Sequence, residues 1–156
     1  MNLTTAQIEL IRDSFHRLEP DAEVAEMFYD RLFDIAPELR SLFRSDMTGQ
    51  GMRFMRTLRV IVQNLDEPEA LHPYLQRLAQ GHAAYGVKPE HFHPMGQALI
   101  WTMRQALGED FPEGADAAWE AAYDGMAHEM VALAAPAACP DPVGPDPARP
   151  DSINAG

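Results

Sequence analysis

Apolar residues recur at intervals of three and four along most of the chain, which is the spacing of one buried stripe on an α-helix. The first such segment lies between Thr4 and Pro20, and its stripe consists of Ile8, Ile11, Phe15 and Leu18. The pattern predicts further helices over these approximate ranges: 21–35, 37–43, 50–65, 69–85, 89–107 and 112–135. No segment alternates apolar and polar residues as a half-buried strand does. The sequence therefore predicts an all-α protein.

The ends of these helices carry recognisable signals. Thr4 followed three residues later by Gln7 is typical of a capping box at a helix start. Pro37 and Pro89 suit the first turn of a helix, where the missing N–H costs nothing. Gly86 is a natural C-terminal stop. These signals support the helix boundaries that the apolar stripe suggests.

The composition changes after Ala135. The last 21 residues contain six of the 13 prolines, and their only large apolar side chains are Val143 and Ile153. Too little apolar surface is available there to offset the entropy of ordering the chain. We therefore expect one folded domain over 1–135 and a flexible tail over 136–156. The single cysteine, Cys139, falls in this tail, where we expect an ordinary exposed thiol.

The charge of the chain excludes some classes of partner. Acidic residues outnumber basic ones 24 to 12 in 156 residues, which gives a formal net charge of −12. A nucleic-acid binder needs a basic face, and an anionic lipid surface repels an acidic protein. No apolar run approaches the roughly 20 residues of a membrane span, and no secretory signal begins the chain. We expect a cytoplasmic protein with neither nucleic acid nor membrane as a partner.

His82 is the first candidate for chemistry, because it lies on the apolar face of its helix, four residues after Leu78. Taken alone, it is better explained as a core histidine that bonds a backbone carbonyl. The alternative is a neutral imidazole that points into a pocket as a metal ligand. The residues around it must decide between the two.

Several segments resemble the globin family, in the order and spacing that globins have. They are FYDRLF at 28–33, PELRSLF at 37–43, GHAAYGV at 81–87 and WEAAYDGMA at 119–127. The chain is similar over about residues 5–134 to bacterial single-domain haemoglobins and to the haem domain of flavohaemoglobins. The resemblance implies a globin fold of seven to eight helices around a haem pocket, with haem b as cofactor. It also implies that His82 binds the iron and that Phe43 packs on the haem.

The resemblance also implies a distal side that holds the gas. In globins without a gap here, the distal residue precedes the proximal histidine by 32 positions, which is Gln50. Phe54 lies one helical turn later, and Tyr29 falls where bacterial globins keep a distal tyrosine. Without the resemblance, Tyr29 is a core aromatic residue and Gln50 a solvated residue near a helix start. With it, both are hydrogen-bond donors to bound oxygen, and we expect tight, slowly released oxygen.

Further residues are candidates for the walls and rim of the pocket. Phe43, Phe54, Val87 and Phe92 are expected as apolar walls, although plain core packing explains each of them equally simply. Arg53, three residues after Gln50, could donate to a haem propionate or could simply be solvated.

The chain departs from its relatives on the proximal side. Flavohaemoglobins have a tyrosine and a glutamate that bond the proximal imidazole, and the corresponding positions are Phe92 and Ala134. Neither side chain can accept that bond, so we expect little peroxidase-like chemistry. No GxGxxG motif and no flavin-binding region follow, so we expect electrons to come from a separate reductase.

These observations leave three functional hypotheses. The first is a haem protein that binds O2, NO and CO, with nitric oxide dioxygenase capacity as its enzymatic activity. The second is a non-enzymatic gas sensor or oxygen store that acts through a partner. The third is a helical metal protein using His72, His91 and His93, although His-x-His on a helix points the two rings to different faces.

Overall fold

The computed structural model describes residues 2–18, 22–43 and 47–134, and these parts of the chain contain helices and no strand. The α-helices are α1 (Thr5–Leu18), α2 (Ala22–Ile35), α3 (Met47–Gln63), α4 (Pro68–Ala84), α5 (Phe92–Leu107) and α6 (Ala115–Ala134). Three 3-10 helices lie between them, over Pro37–Leu42, Pro89–His91 and Gly108–Asp110. The prediction of an all-α fold is confirmed.

Local signals in the sequence explain the helix ends. The backbone N–H of Thr4 donates to Gln7 Oε1 at 2.8 Å, and the Gln7 N–H donates to Thr4 Oγ1 at 3.1 Å, so the capping box is formed. Gly86 follows the end of α4 with φ +89°, and Gly108 follows the end of α5 with φ +53°. Both angles lie in the left-handed region that favours glycine.

Some boundaries differ from those that the pattern predicts. Helix α3 begins at Met47 rather than near Gln50, because Gly49 and Gly51 continue the helix instead of breaking it. The segment after Pro37 is a 3-10 helix, and α5 begins at Phe92 after a 3-10 turn. Pro94 then falls in the first turn of α5, where its missing N–H has no helical partner.

The core lies where α2 packs against α5 and α3, and where α6 packs against α1, α4 and α5. Trp119 on α6 is fully buried, and its indole N–H donates to Ser14 Oγ at 2.7 Å. The Ser14 hydroxyl in turn donates to the Leu10 carbonyl at 2.8 Å. These two hydrogen bonds satisfy two buried polar groups and fix α1 against α6.

Two glycines allow helices to approach more closely than a side chain permits. A Cβ atom at Gly51 on α3 would lie 2.8 Å from the Ala25 Cβ on α2. A Cβ atom at Gly96 on α5 would lie 2.7 Å from the ring of Tyr123 on α6. Both contacts are shorter than van der Waals packing between carbon atoms, so each position requires glycine.

Parts of the sequence-based expectations fall outside the described residues. These are Pro20, the boundary at residue 135, the predicted tail over 136–156 and its cysteine, Cys139. Within the described segments, no helix combines the length and the apolar character that a membrane span requires.

Candidate functional site

His82 lies in the last turn of α4, whose apolar face is buried against α6. Its Nδ1 lies 2.8 Å from the carbonyl oxygen of Leu78, one turn earlier. A carbonyl only accepts hydrogen bonds, so Nδ1 carries the ring proton and Nε2 keeps its lone pair. The half-buried imidazole therefore presents a nitrogen that can coordinate a metal.

The space beside this imidazole is apolar. A cavity of about 310 Å³ is lined by Ala79, His82, Ala83, Val87, Pro89, Phe92, Met130, Val131 and Ala134. The Phe92 ring is almost parallel to the imidazole, with 6.1 Å between ring centroids and 17° between planes. This lining offers the imidazole no carboxylate or hydroxyl, so the Leu78 carbonyl is the group that orients it.

Tyr123 on α6 fixes the position of Phe92. Its hydroxyl donates to the Phe92 carbonyl at 2.8 Å, while its ring lies against the bare backbone of Gly96 one turn further along α5. Burial raises the pKa of Tyr123 well above its ordinary value of 10.0, so the hydroxyl stays a neutral donor. The start of α5, and with it the ring beside His82, is thus held by α6.

A second group of residues lies where α2 meets α3. The Gln50 amide Nε2 donates to the hydroxyl oxygen of Tyr29 at 3.1 Å. The amide oxygen of Gln50 accepts from Arg53 Nη2, also at 3.1 Å. Arg53 is exposed, Gln50 half-buried and Tyr29 buried, so this hydrogen-bond chain runs from the surface into the core.

The Tyr29 hydroxyl is a neutral donor with a proton to give. Burial raises its pKa above 10.0, and the bond from Gln50 opposes that shift only in part. Its oxygen accepts from Gln50, and no acceptor in the described segments takes its proton. An electron-rich group that enters beside Tyr29 would therefore find a hydrogen bond ready to form.

Aromatic rings pack against the ring of Tyr29. Phe43 lies edge-on to Tyr29 with ring centroids 5.2 Å apart, and Phe54 lies edge-on at 5.8 Å. Phe54 also stacks on Phe28 at 4.3 Å. Such an apolar environment excludes water and strengthens any hydrogen bond made inside it.

The third hypothesis, a metal site made of histidines, finds no support in the described parts of the chain. No three His, Cys, Asp or Glu side chains gather there as ligands. His72 instead pairs with Glu129 at 2.8 Å, and His91 Nδ1 accepts the backbone N–H of Lys88 at 3.0 Å.

Comparison with known proteins agrees with this arrangement of helices. The sequence profile described as Globin matches residues 26–130, about two-thirds of the chain. The chain belongs to the globin family. A flavohemoprotein of Vibrio cholerae is 28% identical over 133 residues, and one of Bordetella parapertussis is 33% identical over 107. These matches cover 83% and 67% of this chain but only 34% and 27% of the relatives, so the chain spans about a quarter to a third of their length.

Solved structures show the same fold. An engineered carbene transferase, a provisionally assigned nitric oxide dioxygenase from Rhodothermus marinus, superposes with a TM-score of 0.77 at 28% identity. The match covers 85% of this chain and 94% of that one. A bacterial globin from Campylobacter jejuni superposes with a TM-score of 0.73 at 23% identity, covering 84% and 96%. The predicted globin fold is confirmed.

The residues present fit a haem group. Helix α3 packs on α2, and α4 packs on α6. Within their described residues, α3 and α4 make no extensive contact with each other. The group on α4 offers a nitrogen that can coordinate iron, and the group where α2 meets α3 offers a neutral donor among phenylalanine rings. A flat, apolar porphyrin with one open iron position matches that combination.

The structure brings the predicted site residues together in two groups. Tyr29, Phe43, Gln50, Arg53 and Phe54 form one group, and His82, Val87 and Phe92 form the other. Their roles towards haem stay predictions.

Sequence reasoning missed two residues that position the site, Gly51 and Tyr123. The signal that could have found Gly51 is a glycine inside an amphipathic helix, since such a residue usually marks a close approach.

Proposed function

We propose that this globin binds haem b, holds O2 and other diatomic gases reversibly, and converts nitric oxide to nitrate when a separate reductase supplies electrons. The observation that carries the proposal is the bond from His82 Nδ1 to the Leu78 carbonyl, which leaves Nε2 free as an iron ligand. The names of the relatives, flavohemoproteins among them, support the same function.

Each candidate residue has a role in holding the cofactor. His82 supplies the ligand nitrogen, and Phe43, Phe54, Val87 and Phe92 supply apolar walls. Arg53 is exposed and available to donate to a propionate while it holds the Gln50 amide. When bound, the haem supplies a gas-binding position and a one-electron redox centre.

On the distal side, Tyr29 and Gln50 hold the gas. A diatomic gas with partial negative charge that entered beside Tyr29 would accept a hydrogen bond from its hydroxyl proton, which no acceptor in the described residues takes. Gln50 orients the phenol by donating to its oxygen, which also makes the phenol a better donor. A hydrogen bond in such a dry pocket contributes about 1–3 kcal/mol.

On the proximal side, the imidazole donates to a neutral carbonyl rather than to a carboxylate. The ligand therefore gains little anionic character, and the apolar lining by Phe92 and Ala134 reinforces this. That arrangement favours holding dioxygen intact over cleaving its O–O bond.

The haem assignment is tested by the visible spectrum of the purified protein after incubation with hemin. We expect a sharp Soret band that His82→Ala removes or shifts strongly, while His72→Ala, an exposed histidine, leaves it unchanged. A colourless product would end the proposal. A Soret band that His82→Ala leaves intact would remove His82 from it.

The distal assignment is tested by the rate at which oxygen leaves. Tyr29→Phe should speed oxygen release about ten- to a hundredfold, since 1.4 kcal/mol corresponds to about tenfold. The matched control is Tyr85→Phe, because Tyr85 is 77% exposed and should change nothing. Equal release rates in both variants would remove Tyr29 from the mechanism.

The enzymatic activity is tested by mixing the oxygen-loaded protein with nitric oxide in a stopped-flow instrument. Rapid oxidation with stoichiometric nitrate supports a nitric oxide dioxygenase. Slow conversion would leave oxygen storage, oxygen transport or gas sensing through a partner. A cytoplasmic location is part of the proposal, since the reductants for such a reaction are found there.

A further inference from the structure

Helix α3 concentrates positive charge in a strongly acidic molecule. It contains Arg53, Arg56 and Arg59 and no acidic residue, although the whole chain has 24 acidic and 12 basic residues. The three arginines are exposed and three residues apart, so they form one ridge along the helix. We call them the arginine row. The ridge spans about 9 Å, from the 1.5 Å rise per residue of an α-helix.

No carboxylate neutralises the arginine row in the described part of the chain. Other guanidinium groups have partners there: Arg12, Arg17 and Arg104 form ion pairs, and Arg31, Arg40 and Arg77 lie over aromatic rings. Arg53 bonds only a neutral amide, and neither Arg56 nor Arg59 has an ion pair among the described residues. Like charges three residues apart repel each other, so the row weakens the helix slightly unless something binds it.

The arginine row begins at the candidate site. Arg53 donates to Gln50, which donates to Tyr29, so the first member of the row lies two hydrogen bonds from the buried phenol. A molecule held by the row is therefore placed at the surface end of the hydrogen-bond chain that leads to Tyr29.

We propose that the arginine row docks an acidic electron-donor protein. This docking proposal rests on the proposed function. Each turnover of that function combines one NO, one O2 and one electron into one nitrate ion, so the donor gives one electron per turnover. Complexes that pass electrons are small, weak and guided by charge. The arginine row has the size and sign to orient an acidic patch, and Arg56 and Arg59 do so even when Arg53 donates to a propionate.

The charge of the remaining surface favours a compact acidic patch over a long polyanion. Exposed charges interact over about 8 Å at physiological salt, roughly the length of the row. A nucleic acid or an anionic membrane extends well beyond that length and meets the acidic surface that gives the chain its charge of −12. The same acidity repels an acidic donor from other faces, which directs it to α3.

The test compares two double variants of the haem-loaded protein. R56E/R59E reverses two charges in the row, and R77E/K88E reverses two exposed charges elsewhere, so both have the same net charge. The probe is a reduced acidic flavodoxin, and the stopped-flow rate of haem reduction is the first measurement. We expect R56E/R59E to be reduced about tenfold more slowly than R77E/K88E near 0.01 M salt, with the difference vanishing near 1 M.

A second measurement reports binding without electron transfer. Amide chemical shifts of the protein are recorded with oxidised flavodoxin, and we expect the changes to concentrate on α3 and to disappear in R56E/R59E. Equal reduction rates for the two variants, or shifts that concentrate on another helix, would overturn the docking proposal. Binding of the arginine row to phosphatidylserine vesicles but not to flavodoxin would also overturn the docking proposal.

Controls separate this proposal from the proposed function. Both variants should be reduced equally fast by dithionite and give the same carbonyl spectrum. If dithionite-treated protein gives no carbonyl spectrum, the haem assignment fails. If it does, and R56E/R59E and R77E/K88E still react alike with flavodoxin, only the docking site is wrong.

Discussion

The close approach of α2 and α3 at Gly51 can be tested by adding one carbon atom. In Gly51→Ala the new Cβ would lie 2.8 Å from the Ala25 Cβ, and both atoms are bonded directly to helix backbones, with no flexible side chain to move aside. Carbon atoms pack at about 3.5–4.0 Å, so the helices must separate by roughly 1 Å at this point. We expect the substitution to destabilise the fold and to disturb the bond between Gln50 and Tyr29.

The magnitude follows from two opposing effects. Overpacking a well-filled core costs about 1–3 kcal/mol. Replacing a glycine inside a helix by alanine recovers up to about 1 kcal/mol of helix propensity. Gly81 on α4 isolates the second effect, because nothing lies within 4 Å of its added Cβ. We therefore expect Gly81→Ala to be neutral or stabilising, and Gly51→Ala to be less stable than Gly81→Ala by about 1–3 kcal/mol.

The assay is urea unfolding followed by circular dichroism, with both variants in the same state of haem loading. The free energy of unfolding is compared only if the slope with urea concentration is unchanged. Equal gains in stability for Gly51→Ala and Gly81→Ala would refute the reasoning, because they would mean that α2 and α3 have room for a methyl group. Faster oxygen release in Gly51→Ala alone would link this contact to the distal hydrogen bond.

Two further predictions concern buried polar groups. Ser14→Ala leaves the indole N–H of Trp119 without its acceptor and should cost about 1–3 kcal/mol in urea unfolding, whereas the exposed Ser41→Ala should cost little. A Ser14→Ala protein as stable as Ser41→Ala would contradict this. Burial raises the pKa of both Tyr29 and Tyr123, so above pH 10 the unfolded chain loses protons that the fold retains. The free energy of unfolding should then fall with rising pH by up to about 1.4 kcal/mol per pH unit for each tyrosine. In Tyr123→Phe it should fall less steeply with pH.

Much of the fold follows from local pattern. The apolar stripes and the Thr4–Gln7 capping box specify helices through neighbours within one turn, and such signals need no knowledge of the rest of the chain. The predicted start of α3 near Gln50 was wrong by about one turn, since the helix begins at Met47 and includes Gly49. Gly51 lies against α2 at Ala25, 26 residues away in the chain, and a local pattern does not record such a contact.

The candidate site also has some features that are local in sequence and others that depend on contacts between distant residues. His82 and its carbonyl partner are one helical turn apart, so the orientation of the imidazole could be anticipated from sequence. The bond from Tyr123 to the Phe92 carbonyl spans 31 residues and leaves no mark in the sequence except the small residue Gly96. Contacts between helices that are distant in the chain decide which side chains fill a pocket. A single sequence shows only a small residue, such as Gly96, where another side chain packs.

The hydrogen bond from Tyr123 to the Phe92 carbonyl couples the position of α6 to that of the His82 imidazole. One hydrogen bond joins α6 to the first residue of α5, and one ring contact joins that residue to His82. A displacement of α6 therefore reaches the imidazole through α5, in addition to the direct packing of α6 on α4, the helix that carries it. A load applied near Ala134, about three turns beyond Tyr123 on α6, would therefore be expected to tilt the His82 ring.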